Sequence, residues 1–274
     1  SIGLAASGTG TIPSFTASNT NNSAVTATII VTPTYTNGGV SCVGTNDTFN
    51  ITINPPPIFA ATTDKYVCNA STTTAVVFTT ALTGGTAVYH WTNNNTAIGL
   101  AASGTGNVPS FTATNTTTAP IMGSIVVYMD YTNAGLTCTS LKDTFNYVVN
   151  PTAVVNPIND QVLCNGSTTA AISFSTTATG GTVTYAWTNS NSSIGLAASG
   201  TGNIASFNAI NNSNVPVTAT ITVTPTFTNG GVSCTGTAQS FTVTVNPTAV
   251  VNAVSSQTVC AGSSNSAVTF SSPV

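Results

Sequence analysis

Val217-Thr-Ala-Thr-Ile-Thr-Val-Thr-Pro-Thr-Phe227 alternates with a period of two. Val217, Ala219, Ile221, Val223 and Phe227 fall on one side of an extended chain, and Thr218, Thr220, Thr222, Thr224 and Thr226 on the other. Successive side chains of a strand point to opposite faces, so the stretch reads as a half-buried antiparallel strand. Asn229-Gly230-Gly231 follows, and Asn and Gly tolerate the positive φ of a hairpin turn. The same turn stands at Asn37-Gly38-Gly39 and, with Ala in the middle, at Asn133-Ala134-Gly135. Further upstream, Gly84-Gly85 and Gly180-Gly181 each precede an aromatic strand, Tyr89-His-Trp91 and Tyr185-Ala-Trp187. About seven strands per repeat, with no helical period, describe a β-sandwich of roughly 100 residues.

The turns recur because the whole chain repeats. Ile-Gly-Leu-Ala-Ala-Ser-Gly-Thr-Gly begins at Ile2, Ile98 and Ile194, a step of 96 each time. Asn54-Pro55, Asn150-Pro151 and Asn246-Pro247 keep that step, and residues 1–53 match 193–245 at 36 of 53 positions. Taking the Asn-Pro steps as junctions, 54–149 and 150–245 are complete repeats. Residues 1–53 correspond to the C-terminal part of one repeat and 246–274 to the N-terminal part of another. The sequence thus reads as a segment of a longer polypeptide or of a polymer. The expected fold is all-β, a linear array of tandem immunoglobulin-like sandwiches. Trp91 and Trp187 stand where the third strand of such a sandwich places its core tryptophan. Phe111, Phe207, Phe145 and Phe241 recur in register and read as core aromatics.

Composition removes several functions. Of 274 residues 3% are charged, with 2 Lys+Arg, 5 Asp+Glu and one His, against about 25% charged in ordinary domains. Two lysines cannot neutralise a phosphate backbone, so no nucleic-acid partner is expected. Thr, Ser and Asn interrupt every apolar run well short of about 18 residues, so no membrane insertion is expected. His90 is replaced by Ala186 in the next repeat, and no Glu is present. No catalytic group, cofactor or metal site follows from such a set, and the chain reads as a non-enzyme. Calcium would need clustered oxygen ligands, and Asp64 and Asp160 align with Ser256. Asn69-Ala-Ser71 and Asn165-Gly-Ser167 have the form of glycosylation sequons.

Six cysteines form two series, Cys42/Cys138/Cys234 and Cys68/Cys164/Cys260. Two per repeat, with almost no charge, point to an oxidising, extracellular compartment. Pairing within a repeat gives Cys68–Cys138 and Cys164–Cys234, with Cys42 and Cys260 bonded outside the sequence. Pairing across junctions gives Cys42–Cys68, Cys138–Cys164 and Cys234–Cys260. The first scheme is the expected one, because closing a 70-residue separation stabilises by about 4 kcal/mol on the chain-entropy account.

The repeat resembles the PKD-like, immunoglobulin-like repeats of very large secreted surface proteins of Bacteroidota, including gliding-motility adhesins. The resemblance rests on Asn150-Pro-Thr-Ala-Val-Val, Gln161-Val-Leu-Cys-Asn-Gly-Ser167, Tyr185-Ala-Trp-Thr-Asn189, Ser193-Ile-Gly-Leu-Ala-Ala-Ser-Gly-Thr-Gly202 and Val223-Thr-Pro-Thr-Phe-Thr-Asn-Gly-Gly-Val-Ser-Cys234. The first full repeat departs from it, with Met129 where Pro33 and Pro225 stand. The resemblance implies a cell-surface, extracellular structural protein, a segment of an adhesin or fibre shaft. Its partners would be adjacent repeats or neighbouring copies of itself, and surface glycans. The competing readings are a self-assembling filament subunit completed by neighbouring copies, and a carbohydrate-binding accessory module of a secreted enzyme.

Overall fold

A computed structural model describes residues 2–274. It holds sixteen strands and two three-residue 3-10 turns among the described residues, and no helix long and apolar enough to cross a membrane. The chain divides into two compact units. The first runs to Lys65 and adds Ala70–Thr114 and Met122–Val148; the second takes Tyr66–Asn69, Asn115–Ile121 and Val149–Val274. Two short pieces of the 54–149 repeat, Tyr66–Asn69 and Asn115–Ile121, therefore group with the second unit.

In the first unit, β1 (Val25–Val31) pairs antiparallel with β4 (Asp47–Ile53), and β2 (Thr34–Asn37) with β3 (Val40–Val43). The next repeat contributes β5 (Lys65–Cys68), β6 (Thr86–Asn93), β7 (Ser103–Thr105), β8 (Ile121–Asn133), β9 (Leu136–Thr139) and β10 (Asp143–Asn150). They form a sheet in the order β5-β10-β8-β6-β7, with β9 also on β8. Thr72↔Thr112 and Val76↔Val108 bridges join the strand-like segments of an opposing layer.

The second unit repeats the plan with β11 (Gln161–Cys164), β12 (Thr182–Asn189), β13 (Ser199–Thr201), β14 (Val217–Asn229), β15 (Val232–Thr235) and β16 (Gln239–Asn246). β11 joins β16 in parallel, while the other pairings are antiparallel. The opposing layer is held by bridges Val155↔Thr176, Thr168↔Asn208 and Ile172↔Ile204. Trp187, Ile194, Ile221, Phe241 and Val243 are buried between the layers. Both repeats are thus all-β, immunoglobulin-like sandwiches in tandem.

β14 shows why the alternation folds this way. Ala219, Ile221, Val223 and Phe227 are fully buried, while the threonines between them face out. On that outer face hydroxyls pair across strands, Thr218 with Thr244 and Thr222 with Ser240, each at 2.9 Å. Such pairs give a strand face solubility and cohesion without charge.

The recurring Ile-Gly-Leu-Ala-Ala-Ser-Gly-Thr-Gly string is explained by the tryptophan. Ile98 and Leu100 are buried, and Gly99 between them sits at φ 95, closing the 3-10 turn Thr96–Ile98. β7 then crosses Trp91, and a Cβ on Gly104 would stand 2.6 Å from the indole Cε2. Only glycine lets the strand lie against the ring.

The Met129 departure has a partner. Pro225 has no N–H, and its carbonyl accepts from Gly236 N at 2.8 Å. Met129 has an N–H, which donates to Ser140 Oγ at 2.9 Å, while Ser140 N donates back to the Met129 carbonyl at 2.9 Å. Ser140 stands one repeat before Gly236, so Pro goes with Gly and Met with Ser. Met129→Pro alone should cost about 1–3 kcal/mol, through a buried side chain lost and a hydroxyl left without its donor. Adding Ser140→Gly should recover part of that, a coupling of about 1 kcal/mol. Denaturant midpoints of the two single variants and the double variant measure it, and strict additivity would refute the pairing.

Candidate functional site: a bonded repeat junction

Among the described residues, the buried polar side chains are six asparagines and two threonines, Thr73 and Thr169, and they recur at steps of 96 residues. Asn211 is 4% exposed. Its Nδ2 donates to the carbonyls of Val215 (2.8 Å) and Val245 (2.7 Å), and its Oδ1 accepts from Ser213 N and Oγ. Asn115 makes the same bonds to Ala119, Val149 and Thr117, and Asn19 bonds the carbonyls of Ser23 and Ile53. Asn93 and Asn189 hold the turn after the tryptophan strand through the carbonyls of Leu100 and Leu196, both at 3.0 Å. A buried polar group is tolerated only when its bonds are made, and a primary amide offers donors and acceptors without charge. Sequence reading passed over these residues, although their 96-residue recurrence was there to be seen.

A second set of amides sits at the Asn-Pro junction. Asn150 is fully buried. Its Nδ2 donates to the Asn229 carbonyl (3.2 Å), and Asn229 Nδ2 donates back to Asn150 Oδ1 (3.0 Å). Asn54 and Asn133 form the same reciprocal pair one repeat earlier. On the other side of the junction, Asn69 N donates to the Asn150 carbonyl and Asn69 Nδ2 to Thr152 Oγ1, both at 2.9 Å. Asn165 repeats those two bonds with Asn246 and Thr248 at 2.9 and 3.0 Å. The two sequon asparagines therefore use their amide nitrogens to hold the junction.

Within the second unit the β14–β15 hairpin lies against residues 66–69. A Cβ on Gly230 would run into the Tyr66 ring, and Cys68 is bonded to Cys234, with Cα atoms 5.5 Å apart. This pairing is neither scheme expected from sequence. Cys138 and Cys164 are free thiols rather than members of the pairs Cys68–Cys138 and Cys164–Cys234, and Cys42 and Cys260 are free as well. The reason is geometric. Cys234 lies on β15 opposite the buried Phe227, at the hairpin end of its repeat, whereas Cys164 ends β11 opposite Asn246. The hairpin end faces the preceding repeat's Cys68, so the bond spans 166 residues and joins one repeat to the next.

The expected core aromatics divide into two groups. Trp91, Trp187, Phe145 and Phe241 are buried. Phe111 and Phe207 are half-buried at the rim. Their backbone N–H groups are tied to Thr73 and Thr169 Oγ1, both at 3.0 Å, and Phe111 meets Tyr147 edge-on at 5.1 Å.

His90 lies on the outer face of β6, its Nε2 3.2 Å from Asp130 Oδ2 and its ring stacked on Tyr128 at 4.9 Å. Asp130 also accepts from Thr139 Oγ1 at 2.6 Å. The equivalent residues of the next repeat are Ala186, Thr224, Thr226 and Thr235. This surface network is one ion pair, one stacked ring and one hydroxyl bond. Asp64 and Asp160 each accept from a main-chain N–H of the facing strand, Asn146 at 2.7 Å and Thr242 at 2.6 Å. Among the described residues no three His, Cys, Asp or Glu side chains gather as a metal ligand set.

No family model matches the sequence, and no curated protein matches it. Among solved structures the chain is similar to protocadherin gamma B2 extracellular cadherin domains 3–6, with TM-score 0.35 and 10% identity, covering 82% of this chain and 59% of that one. It is also similar to titin domains I67–I69 in an E-to-A mutated variant, with TM-score 0.38 and 11% identity over 71% of this chain and 67% of that one. Mouse cadherin-23 EC22–24 gives TM-score 0.32 and 11% identity over 81% and 74%. At these scores the immunoglobulin-like assignment stands on the strand order and burial described above.

Proposed function

We propose that this chain is a non-catalytic structural segment of a long extracellular fibre or surface adhesin, built from immunoglobulin-like repeats that join end to end. The observation that carries this reading is the bonded junction. Asn54–Asn133 and Asn150–Asn229 make the same amide pair, and Cys68–Cys234 bonds one repeat to the next. A disulfide fits an oxidising compartment. An outer face of paired hydroxyls suits a shaft that stays in solution with 3% charged residues. The partners on this reading are further copies of the repeat, and the cell surface is the location.

Immunogold labelling of intact, unpermeabilised cells with an antibody to residues 54–245 tests the location. Gold particles should decorate thin filaments outside the cell. Label confined to permeabilised cells would overturn the reading.

A further inference from the structure

The spacing of the Cys68–Cys234 bond can be applied to the other four cysteines. The bonded pair is 166 residues apart, one repeat of 96 plus the 70 between the two cysteines of a repeat. Stepped by 96, that spacing gives Cys138 and Cys42 partners 166 residues before them, and Cys164 and Cys260 partners 166 residues after. All four of those positions fall outside 1–274, and these four are the free thiols. The spacing therefore accounts for the bonded pair and the unbonded set together.

The half-sites are already shaped. Cys42, Cys138 and Cys234 occupy the same hairpin place, opposite Tyr35, Tyr131 and Phe227. Beside each lies the same cross-strand hydroxyl pair: Thr36–Ser41 at 2.8 Å, Thr132–Thr137 at 2.8 Å and Thr228–Ser233 at 2.9 Å. On the receiving side, Asn165 fixes Cys164 against Asn246 and Thr248 as Asn69 fixes Cys68 against Asn150 and Thr152. Tyr66, where the hairpin docks, is half-buried, whereas Val162, its equivalent beside Cys164, is 69% exposed.

We infer that Cys164 and Cys260 are acceptor thiols for the hairpin cysteine of a following repeat of this kind, and that Cys42 and Cys138 are hairpin thiols for a preceding one. A second copy set three repeats on, 288 residues, brings its Cys42 to position 330 and its Cys138 to position 426. Those are the positions that Cys164 and Cys260 require (164 + 166 and 260 + 166). Further repeats of the same polypeptide would present the same thiols. In each bond two thiols lose two protons and two electrons to a disulfide-form oxidant, small molecule or protein, which leaves as two thiols. The inference rests on the fibre reading for its supply of repeats.

The test is disulfide mapping of the native, unreduced protein after alkylation with iodoacetamide. None of the four cysteines should be alkylated, and each should be joined to a cysteine of the opposite series. Reduction to 27.3 kDa chains with Cys164–Cys42 and Cys260–Cys138 bonds identifies a second copy. A larger reduced mass, with partners in peptides outside this sequence, identifies further repeats. Alkylated Cys138 or Cys164, bonds within one series, or the pairs Cys68–Cys138 and Cys164–Cys234 would overturn the inference. Cys164→Ser should release one hairpin-series thiol and leave Cys68–Cys234 intact; loss of that bond instead counts against the stagger. Free thiols on labelled external filaments would sink the bond and leave the fibre. Staggered bonds in a protein that never labels outside the cell would do the reverse.

Discussion

Pulled by its two ends, the oxidised chain is expected to lengthen as though it had 108 extensible residues instead of 274. The Cys68–Cys234 bond shunts 166 residues out of the path (274 − 166 = 108). At about 3.5 Å per extended residue the oxidised chain reaches about 380 Å, and reductant should release about 580 Å more. The two bonds of the within-repeat scheme, Cys68–Cys138 and Cys164–Cys234, each shunting 70 residues, would together release about 490 Å. Single-molecule extension before and after a phosphine reductant separates these values, and Cys68→Ser should behave like the reduced chain. An unchanged length on reduction would remove the bond from the account. The same loop closure should stabilise the oxidised second unit by about 5 kcal/mol on the chain-entropy model.

The second large effect is expected at Asn211. Replacing it with Ala leaves the buried carbonyl of Val245 without its donor, at a cost of about 1–3 kcal/mol, while the Val215 carbonyl keeps its bond from Ser213 Oγ. Asn211→Asp should be worse at neutral pH, since the introduced carboxylate would face those two carbonyls in a buried site. Its sign with pH is distinctive. Burial beside carbonyl oxygens raises the folded-state pKa of the new carboxyl above its unfolded value near 4. The protonated form, which can donate, is therefore favoured by folding. Stability of this variant should be highest below about pH 4 and fall as pH rises through the folded pKa. Urea midpoints at pH 4 and pH 7, compared with Asn211→Ala, read this out. A variant equally stable at both pH values would show that Asn211 is not enclosed as described.

The strands, the repeat length and the tryptophan core were legible because each leaves a local or periodic mark. β14 alternates residue by residue, and Trp91 and Trp187 sit one repeat apart. The disulfide was not legible. Two cysteines per repeat look the same whether they pair within it, across its junction or one repeat further on. The choice is made by which end of the sandwich each cysteine occupies, a property of the assembled layers. Asn115 and Asn211 were readable in principle, but a recurring Asn in an Asn-rich chain resembles turn chemistry until its carbonyl partners are placed. Met129 was recognised as a departure, whereas its companion Ser140 was not, because the two meet only across the β8–β9 hairpin.

The long covalent loop also decides what a protease can do. A cut at any single peptide bond between Cys68 and Cys234 leaves both fragments attached, because the severed ends remain tied through sulfur. Loops of 166 residues recurring every 96 would overlap, so each peptide bond of such an array would lie inside at least one of them. Separating the fragments would then take a reductant as well as a protease, which gives a thread exposed to hostile surroundings a tolerance of damage that folding stability alone does not provide.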